Sequence, residues 1–241
     1  MSSYLRHKKT EVTNVTDFQS ALLKAIFALR YEVYCLERRF LRAEEFQNGL
    51  ESDEYDACST HFATFTPDDT ILGTVRLVQP DDEMPYPFQN HCRIFDDFVM
   101  PAREHISEVS RLVVKNTHRR RGNLMSAVAE SFLNKDQDFA IKPQHENDMS
   151  NEISPMLLLG LFREMYRHSQ QRGIRYWFAA MERPLARSLA KMGFRPVPIG
   201  PQSDYYGPVI PYMVDLEEHY GRLAEENKLL FAWFDAQPNV W

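Results

Sequence analysis

The chain has 241 residues, of which 44% are hydrophobic and 26% charged, and its formal net charge is −6. This composition is typical of an ordinary globular protein, and the acidic balance argues against a general nucleic-acid binder. No apolar run approaches the roughly 20 residues that span a bilayer, so no transmembrane segment is expected. The polar N-terminus lacks an apolar signal sequence, and a cytoplasmic location is therefore expected.

The first predicted element is an amphipathic helix near the N-terminus. Thr16 and Gln19 form a capping-box pattern, and apolar residues then recur at helical spacing from about Asp17 to past Tyr34. Arg30 and Tyr34 lie one turn apart on this helix and therefore share a face.

Three strands are predicted next. Two alternating runs, residues 60–66 and 71–78, flank Pro67-Asp68-Asp69 and predict an antiparallel hairpin. A long excursion rich in proline and aspartate follows, over residues 79–103. The strand pattern then resumes over residues 106–114.

The second half of the chain begins with a polar insertion at about residues 134–153. Ser154-Pro155 is typical of a helix start, and Gly173 of a helix end. The predicted elements are then a helix (155–172), a strand (174–180), a short helix (184–192), a segment broken by prolines (196–211) and a final amphipathic helix (217–234).

This order of elements predicts an α+β fold in a single domain over residues 1–241. The strand at 106–114, the helix after it and the strand at 174–180 should form a parallel crossover within one mixed sheet. The polar insertion and a C-terminal helical extension at about residues 215–241 are expected as additions to this domain.

Ionisable side chains occur where the strands should be buried. Glu108 and Arg111 lie in the third predicted strand and Arg76 in the second. Buried charges are costly unless they are paired or used. Because side chains alternate along a strand, Glu108, Ser110 and Leu112 should share one face, and only a bulge would bring Arg111 to it.

Two aspartates are natural partners for these arginines. Asp53 and Asp56 lie three residues apart in an acidic loop, and arginine pairs well with carboxylates. Two interpretations remain open at this point. Arg76, Arg111 and the aspartates form a structural ion-pair network, or they organise a cleft in which a ligand binds.

The third strand leads directly into a basic segment containing Lys115, His118 and Arg119-Arg120-Arg121-Gly122. Its backbone N–H groups and positive charges suit a phosphate or pyrophosphate, whereas a solvated turn would explain the arginines alone. By contrast, Cys35, Cys58 and Cys92 lack the spacing of metal ligands, and the histidines are scattered, so no metal site is predicted.

In these residues the chain resembles the GNAT-like acyltransferases that draw acyl groups from acyl-carrier protein. That group includes acyl-homoserine-lactone autoinducer synthases and N-acyl amino acid synthases. The autoinducer-synthase pattern is an Arg, an aromatic one turn later, a second aromatic, an Asp-x-x-Asp, an Arg in a G-x-x-R-L strand, and a Glu-x-x-Arg. This chain fills the pattern in the order Arg30, Tyr34, Phe40, Asp53, Asp56, Arg76, Glu108 and Arg111.

The second half is more similar to N-acyl amino acid synthases and to the acyltransferases associated with exosortase/PEP-CTERM systems. The segments that carry this similarity are Arg172-Gly173-Ile174, Met181-Glu182-Arg183-Pro184-Leu185-Ala186-Arg187, Met192-Gly193-Phe194, Pro198-Ile199-Gly200-Pro201 and Tyr205-Tyr206-Gly207-Pro208-x-x-Pro211. The chain also departs from the patterns. Phe40 stands where autoinducer synthases have Trp, and the GNAT phosphate-loop pattern is met only as far as Arg119-x-x-Gly122.

The resemblance implies a GNAT-like fold with a central mixed, split β-sheet flanked by helices, and an extra C-terminal helix. Transfer to an ammonium needs a base, and Glu108 is expected to fill this role because burial would raise its pKa. Residues expected to bind substrate or organise the site are Arg30, Tyr34, Phe40, Asp53, Asp56, Arg76 and Arg111. Residues expected to hold the acyl-phosphopantetheine arm or steer its carrier are Leu112, Val113, Val114, Lys115, Arg119 and Arg121.

The predicted function is N-acyl transfer from acyl-carrier protein, with a long-chain fatty acyl group and an amino acid or related small-molecule amine as acceptor. The acyl-phosphopantetheine of the carrier, or acyl-CoA, is a co-substrate, and no tightly bound cofactor is expected. Two alternatives are an acyl-homoserine-lactone synthase that uses S-adenosylmethionine and a non-catalytic binding module on a GNAT scaffold.

Overall fold

A computed structural model describes residues 5–11, 20–115, 149–191 and 193–235. Its strands are β1 (Arg6–Glu11), β2 (Ser59–Phe65), β3 (Ile71–Val78), β4 (Ile106–Val114), β5 (Tyr176–Met181), β6 (Val197–Pro198), β7 (Ser203–Asp204) and β8 (Pro208–Asp215). Its helices are α1 (Ala21–Tyr31), α2 (Met149–Arg172), α3 (Arg183–Lys191), α4 (Leu216–Glu226) and α5 (Lys228–Asp235). A π-helical turn, Glu32–Glu37, continues α1.

The eight strands form one sheet in the order β1-β2-β3-β4-β5-β8-β6, with β7 paired to β8. β4 and β5 are parallel, and the other pairs are antiparallel. The β2–β3 hairpin and the parallel crossover from β4 through α2 to β5 confirm the predicted topology. The predicted α+β class with one mixed sheet is confirmed as well.

Helices cover both faces of the sheet. Leu23 of α1 packs with Ala63 on one face, which we call the front. Leu158 of α2 packs with Phe62 on the opposite face, the back, where the C-terminal helices also lie. Phe62 and Ala63 are neighbours in β2, so the two layers follow from the alternation of side chains along a strand. Each such buried leucine or phenylalanine contributes about 1.5–3 kcal/mol.

The first helix begins at Ala21. Ser20 is its N-cap, because the Ser20 hydroxyl accepts a hydrogen bond from the backbone N–H of Leu23 at 3.2 Å. The predicted capping box at Thr16 and Gln19, and the predicted start at Asp17, lie outside the described residues. The helix passes Tyr34 as predicted, although its last part is the π-helical turn.

The predicted start of the long second helix was wrong. Ser154-Pro155 has the composition of a helix start, but α2 already contains residues 149–153. The polar insertion predicted at about residues 134–153 overlaps this helix at residues 149–153, and the rest of that prediction lies outside the described residues. The end of the helix was predicted correctly, because Gly173 adopts φ +70, which favours glycine over other residues.

The segment predicted to be broken by prolines contains strands β6, β7 and the beginning of β8. Pro211 lies inside β8, opposite Ala180 of β5. Its carbonyl accepts a hydrogen bond from the N–H of Ile199 at 2.9 Å, so the missing Pro211 N–H falls on the side of the two-residue strand β6. A proline is tolerated where the neighbouring strand is this short. β1, at the opposite edge, also carried no recognised sequence pattern.

The final helix was predicted as one element but is two. Asn227 ends α4 with φ −144, and its side-chain Oδ1 accepts a hydrogen bond from the N–H of Leu230 at 3.0 Å in the first turn of α5. Asparagine at such a position satisfies helix-terminal N–H groups and interrupts the helix. In the described part of the chain, no helix is long and apolar enough to cross a membrane.

Candidate active site

A bulge in β4 brings Glu108 and Arg111 to the same face of the sheet. The register between β3 and β4 shifts so that Arg76 faces Ser110 while Thr74 faces Val113, which leaves two residues of β4 opposite one of β3. Arg111 adopts φ 53, a left-handed conformation that is uncommon for residues other than glycine. The alternation predicted for this strand therefore holds only up to Ser110.

Beyond the bulge the faces are exchanged. Leu112, predicted to share the face of Glu108, packs against the back core instead. Val113 packs on the front against Leu29 and Val33. Without the bulge, Arg111 would project into the back core, away from the carboxylates that it contacts on the front.

Six side chains form the cluster that we call the ion-pair cluster: Arg30, Arg76, Arg111, Glu51, Asp53 and Asp56. Arg76 donates through Nη1 to Asp56 Oδ1 at 2.6 Å and through Nη2 to Asp53 Oδ2 at 2.8 Å. Its Nε donates to the hydroxyl of Ser110 at 2.9 Å. All three nitrogen atoms of this guanidinium thus donate hydrogen bonds.

Arg30 and Arg111 complete the ion-pair cluster. Arg30 reaches from α1 to Asp56, with Nη1 2.6 Å from Oδ1, and it also bonds Glu51. Arg111 Nη2 lies 2.8 Å from Asp53 Oδ2 and 3.1 Å from Glu51 Oε1. Three guanidinium groups are therefore matched by three carboxylates. The structure brings together the predicted Arg30, Asp53, Asp56, Arg76 and Arg111.

The spacing of the two aspartates has a local explanation. Asp53 is the N-cap of a 3-10 turn, Glu54–Cys58, and its Oδ1 accepts a hydrogen bond from the N–H of Tyr55 at 3.0 Å. The carboxylate of Asp56 in turn accepts from the N–H of Asp53 at 2.8 Å. This reciprocal capping holds both carboxylates on one side of the turn, where they face the arginines.

The charges of the ion-pair cluster lower the pKa of both aspartates. Burial opposes ionisation of Asp56, but Arg30 and Arg76 outweigh it and hold its pKa well below the usual range. Burial likewise opposes ionisation of Asp53, and Arg76 reverses the shift. Both carboxyl groups are therefore ionised at neutral pH. His61, beside Asp56, has its pKa lowered to about 4 by burial and is neutral.

Glu108 is buried next to the ion-pair cluster but makes no salt bridge with a described residue. Its side chain is 2% exposed, and its Oε2 accepts a hydrogen bond from the N–H of Phe88 at 3.0 Å. Burial raises its pKa to about 8, and the Phe88 hydrogen bond and Arg76 only partly oppose this shift. Glu108 is therefore mostly protonated at neutral pH and can exchange a proton near that pH.

Glu108 also marks the point at which two parallel strands part. β4 and β5 are paired only from Ile106 with Tyr176 to Glu108 with Phe178. Both strands continue beyond that pair, β4 to Val114 and β5 to Met181, without pairing to each other. Past Glu108, the β5-facing edge of β4 therefore has no partner among the described strands.

The predicted carrier-binding residues lie along this edge or outside the described part of the chain. The side chains of Val113 and Val114 are buried in the front and back cores, so only their backbone faces the opening. The N–H of Lys115 donates to the carbonyl of Leu72 at 2.8 Å and closes the strand. Arg119 and Arg121 lie outside the described residues.

A group of aromatic rings begins at Arg111. The Tyr34 ring lies 5.5 Å from the guanidinium carbon of Arg111, and its hydroxyl donates to the carbonyl of Leu112 at 3.4 Å. The Phe40 ring lies 6.3 Å from that of Tyr34. Two tyrosines of the β7–β8 turn, Tyr205 and Tyr206, complete the group. Arg111 interacts with the phenol of Tyr205 and opposes the upward pKa shift that burial imposes on it.

Several residues of this site were missed at the sequence level. Glu51 binds both Arg30 and Arg111, yet it was not paired with any residue. Counting charges could have found it, because three buried arginines need a third carboxylate. Tyr205 and Tyr206 carried the family resemblance but no site role. Among the described residues, no cluster of histidine, cysteine, aspartate and glutamate side chains is arranged to hold a metal ion.

Comparison with known proteins agrees with this architecture. Residues 29–129 match the model of the acetyltransferase (GNAT) domain. A search of curated protein sequences returned no match.

Several solved structures share the fold. One is TofI in a ternary complex with an inhibitor and MTA, with a TM-score of 0.60 and 14% identity, covering 97% of this chain and 98% of TofI. Another is the AHL synthase LasI, with a TM-score of 0.56 and 17% identity, covering 89% of this chain and 91% of LasI. The third is the CoA-dependent acyl-homoserine lactone synthase BjaI with SAM and isopentyl-CoA, with a TM-score of 0.57 and 18% identity, covering 90% of this chain and 88% of BjaI. The chain therefore has the predicted GNAT fold, and the domain match together with this fold supports an acyltransferase.

Proposed function

We propose that this protein is an N-acyltransferase that moves a long-chain fatty acyl group from the thioester of acyl-carrier protein to the amine of an amino acid or related small molecule. The observation that carries this proposal is the position of Glu108. A buried carboxyl with a pKa of about 8 lies at the last paired position of two parting strands. Acyl transfer to an amine needs a proton acceptor beside the thioester, and Glu108 has the ionisation range for it.

The chemistry begins with the amine as an ammonium group. Glu108 in its carboxylate form takes one proton, and the neutral nitrogen attacks the thioester carbonyl carbon. A backbone N–H near residues 112–114 stabilises the negative oxygen that forms. Collapse of this intermediate breaks the C–S bond, and the second proton of the nitrogen passes to the leaving sulfur. The products are the amide, the pantetheine thiol and one proton, which Glu108 releases to solvent. No covalent enzyme intermediate is needed.

The donor would lie in the opening between β4 and β5. The unpaired backbone edge of β4 offers strand-like hydrogen bonds to the amide groups of a pantetheine arm. We favour a carrier-borne arm over free coenzyme A because the GNAT phosphate-loop pattern is only partly present, at Arg119-x-x-Gly122. Lys115, Arg119 and Arg121 would attract an acidic carrier protein to this entrance.

The ion-pair cluster would organise the site and take no direct part in the chemistry. Its three arginines are neutralised by carboxylates, and Arg111 is held where it contacts Tyr34. This arrangement fixes the bulge of β4 beside Glu108. Arg30, Asp53, Asp56, Arg76 and Arg111 are thus assigned a positioning role, and Tyr34 and Phe40 a role in binding the acceptor.

A second candidate is an acyl-homoserine-lactone synthase that uses S-adenosylmethionine. It is favoured by the fold likeness to BjaI, a lactone synthase described with SAM and isopentyl-CoA. The C-terminal half does not distinguish the two candidates, because the structural alignment of this chain with LasI covers 91% of LasI. Phe40, where autoinducer synthases have Trp, favours the first candidate.

The proposal of an N-acyltransferase includes three further points. They are the similarity of the second half to PEP-CTERM-associated acyltransferases, a single domain over residues 1–241 and a cytoplasmic location.

The test is product analysis. Purified protein is incubated with long-chain acyl-carrier protein and a panel of amino acids, with S-adenosylmethionine in a parallel reaction, and release of the free thiol is followed. Mass spectrometry then identifies the product. An N-acyl amino acid supports the first candidate and an acyl-homoserine lactone the second. No product and no thiol release would contradict both and favour a non-catalytic module.

A further inference from the structure

Backbone strain is concentrated around the candidate site. Four described residues other than glycine have positive φ, and three of them are Arg39 (φ 55), Arg111 (φ 53) and Tyr206 (φ 55). Such conformations cost roughly 1–3 kcal/mol each and persist where the surrounding structure enforces them. The positive φ of Arg111 is explained by the contacts of its side chain in the ion-pair cluster. Arg39 and Tyr206 are not part of that cluster. Their backbone conformations orient the rings of Phe40, which follows Arg39, and of Tyr206 itself, and these two rings are in contact.

These rings belong to Phe40 and Tyr206, which come from distant parts of the chain. Their centroids are 5.9 Å apart with an interplanar angle of 23°, a stacked arrangement. Tyr206 is held at the tip of the β7–β8 turn, where the N–H of Tyr205 donates to the carbonyl of Gly207 at 2.9 Å. The N–H of Gly207 in turn donates to the side chain of Asp204 at 3.1 Å. The tip is thus an ordered support for its tyrosines.

Core packing does not explain this pair. Phe40 is 37% exposed and Tyr206 is 47% exposed, which makes them two of the few large apolar side chains on the described surface. Tyr205 connects the pair to the reacting centre. Its ring centroid lies 3.9 Å from that of His91 and 4.9 Å from that of Tyr206, and its phenol is hydrogen-bonded to Arg111. The aromatic group therefore extends from solvent to the guanidinium of Arg111, which the bulge of β4 places on the same face of the sheet as Glu108.

We propose that Phe40, Tyr205 and Tyr206 form the acceptor-specificity wall of the proposed N-acyltransferase, and that this wall selects amines with an aromatic or branched apolar side chain. This inference rests on the proposed function and adds the class of acceptor to it. The wall consists of aromatic rings, which favour flat or apolar groups over anionic ones.

The charges around the wall support an uncharged side chain. Arg111, the guanidinium nearest the rings, is already paired with Glu51 and Asp53. It therefore offers little to an acidic side chain. Glu108 is mostly protonated at neutral pH and offers little to a second positive charge, including a sulfonium. Burial lowers the pKa of His91, so this ring is neutral as well.

The experiment measures kcat and KM for five acceptors with long-chain acyl-carrier protein: phenylalanine, leucine, glycine, glutamate and S-adenosylmethionine. Wild type is compared with Tyr206→Ala and with Tyr206→Phe. Leu229→Ala serves as a matched control, because Leu229 is 70% exposed and lies on α5, which packs on the back of the sheet. Circular dichroism confirms that each variant is folded.

We expect phenylalanine and leucine to exceed glycine and glutamate in kcat/KM by about tenfold or more, as the loss of one good aromatic contact predicts. Tyr206→Ala should raise KM for phenylalanine and leucine by about the same factor with little change in kcat, and should change KM for glycine least, because glycine has no side chain to contact the wall. Tyr206→Phe retains the ring and should retain the preference. Turnover without any preference, or a preference that Tyr206→Ala leaves intact, would overturn the wall alone. Preferred use of S-adenosylmethionine would also overturn it, and no turnover with any acceptor would overturn the proposed function itself.

Discussion

Arg76 and Asp56 are in direct contact inside the protein, with Nη1 of the arginine 2.6 Å from Oδ1 of the aspartate and neither side chain more than 1% exposed. The same carboxylate also accepts from Arg30 at 2.6 Å. The carboxylate of Asp56 therefore bridges two guanidinium groups, one from α1 and one from β3. This shared carboxylate joins the first helix to the sheet beside the candidate catalytic group.

Replacing this shared carboxylate should be severely destabilising. Asp56→Asn removes the negative charge and leaves Arg30 and Arg76 short of a partner in the interior, which typically costs about 3–5 kcal/mol. Urea denaturation measures the change in the free energy of unfolding. The matched control is Asp69→Asn. Asp69 pairs with Arg6 and Lys8, but its side chain is 62% exposed, so its loss should leave stability nearly unchanged. Equal losses in the two variants would contradict the structural role of the ion-pair cluster.

The stability of the protein should depend on the ionisation of Glu108. Its pKa in the folded protein is raised from 4.5 to about 8, so its favourable contribution is complete below about pH 4.5 and is lost as the pH rises through 8. Glu108→Gln cannot ionise and avoids this loss. At pH 9 we expect the variant to be more stable than wild type by on the order of 3 kcal/mol, or roughly 5–10 °C in Tm.

Thermal unfolding at pH 5 and pH 9 tests this expectation. At pH 5 the two proteins should differ little, because Glu108 is protonated in the folded wild type. A Tm difference that is the same at both pH values would mean that Glu108 is not a buried acid with a raised pKa.

Features that depend on residues close together along the chain could be predicted from the sequence, and features that depend on distant residues could not. The hairpin β2–β3 and strand β4 depend on alternation and turn residues within a few positions, and both were predicted closely. The Asp53–Asp56 pair was visible because its spacing is local. Glu51 was not, since its partners Arg30 and Arg111 lie 21 and 60 positions away. The sequence did not predict the bulge of β4 itself. The alternation of side chains showed only that Arg111 and Glu108 could share a face if such a bulge were present.

A close approach of backbone and side chains explains the glycine of the Gly73-Thr74-Val75-Arg76 segment. A Cβ at Gly73 would lie 2.8 Å from Cδ2 of Leu157 and 3.1 Å from the carbonyl oxygen of Val113. Gly73→Ala should therefore push α2 away from the sheet next to the β4–β5 opening, at a cost of about 1–3 kcal/mol. Gly221→Ala is the control, because Gly221 lies in α4 with no atom near its added Cβ. Alanine there should stabilise the helix by up to about 1 kcal/mol. Chemical denaturation of both variants measures the change in the free energy of unfolding, which should be a decrease for Gly73→Ala and an increase for Gly221→Ala.

The last prediction concerns catalysis by Glu108 itself. If Glu108 accepts the proton of the acceptor ammonium, Glu108→Gln should lower kcat by about 10²–10⁴-fold while the protein remains folded. In wild type only about a tenth of the group is ionised at pH 7, so the rate should rise with pH until it levels above about 8. The variant should lose this limb and keep only the pH dependence of the amine. Glu104→Gln is the matched control, because Glu104 lies in the 3-10 turn just before β4 and is exposed. If Glu108→Gln retained the activity and the pH profile of Glu104→Gln, the proton acceptor would have to be another group.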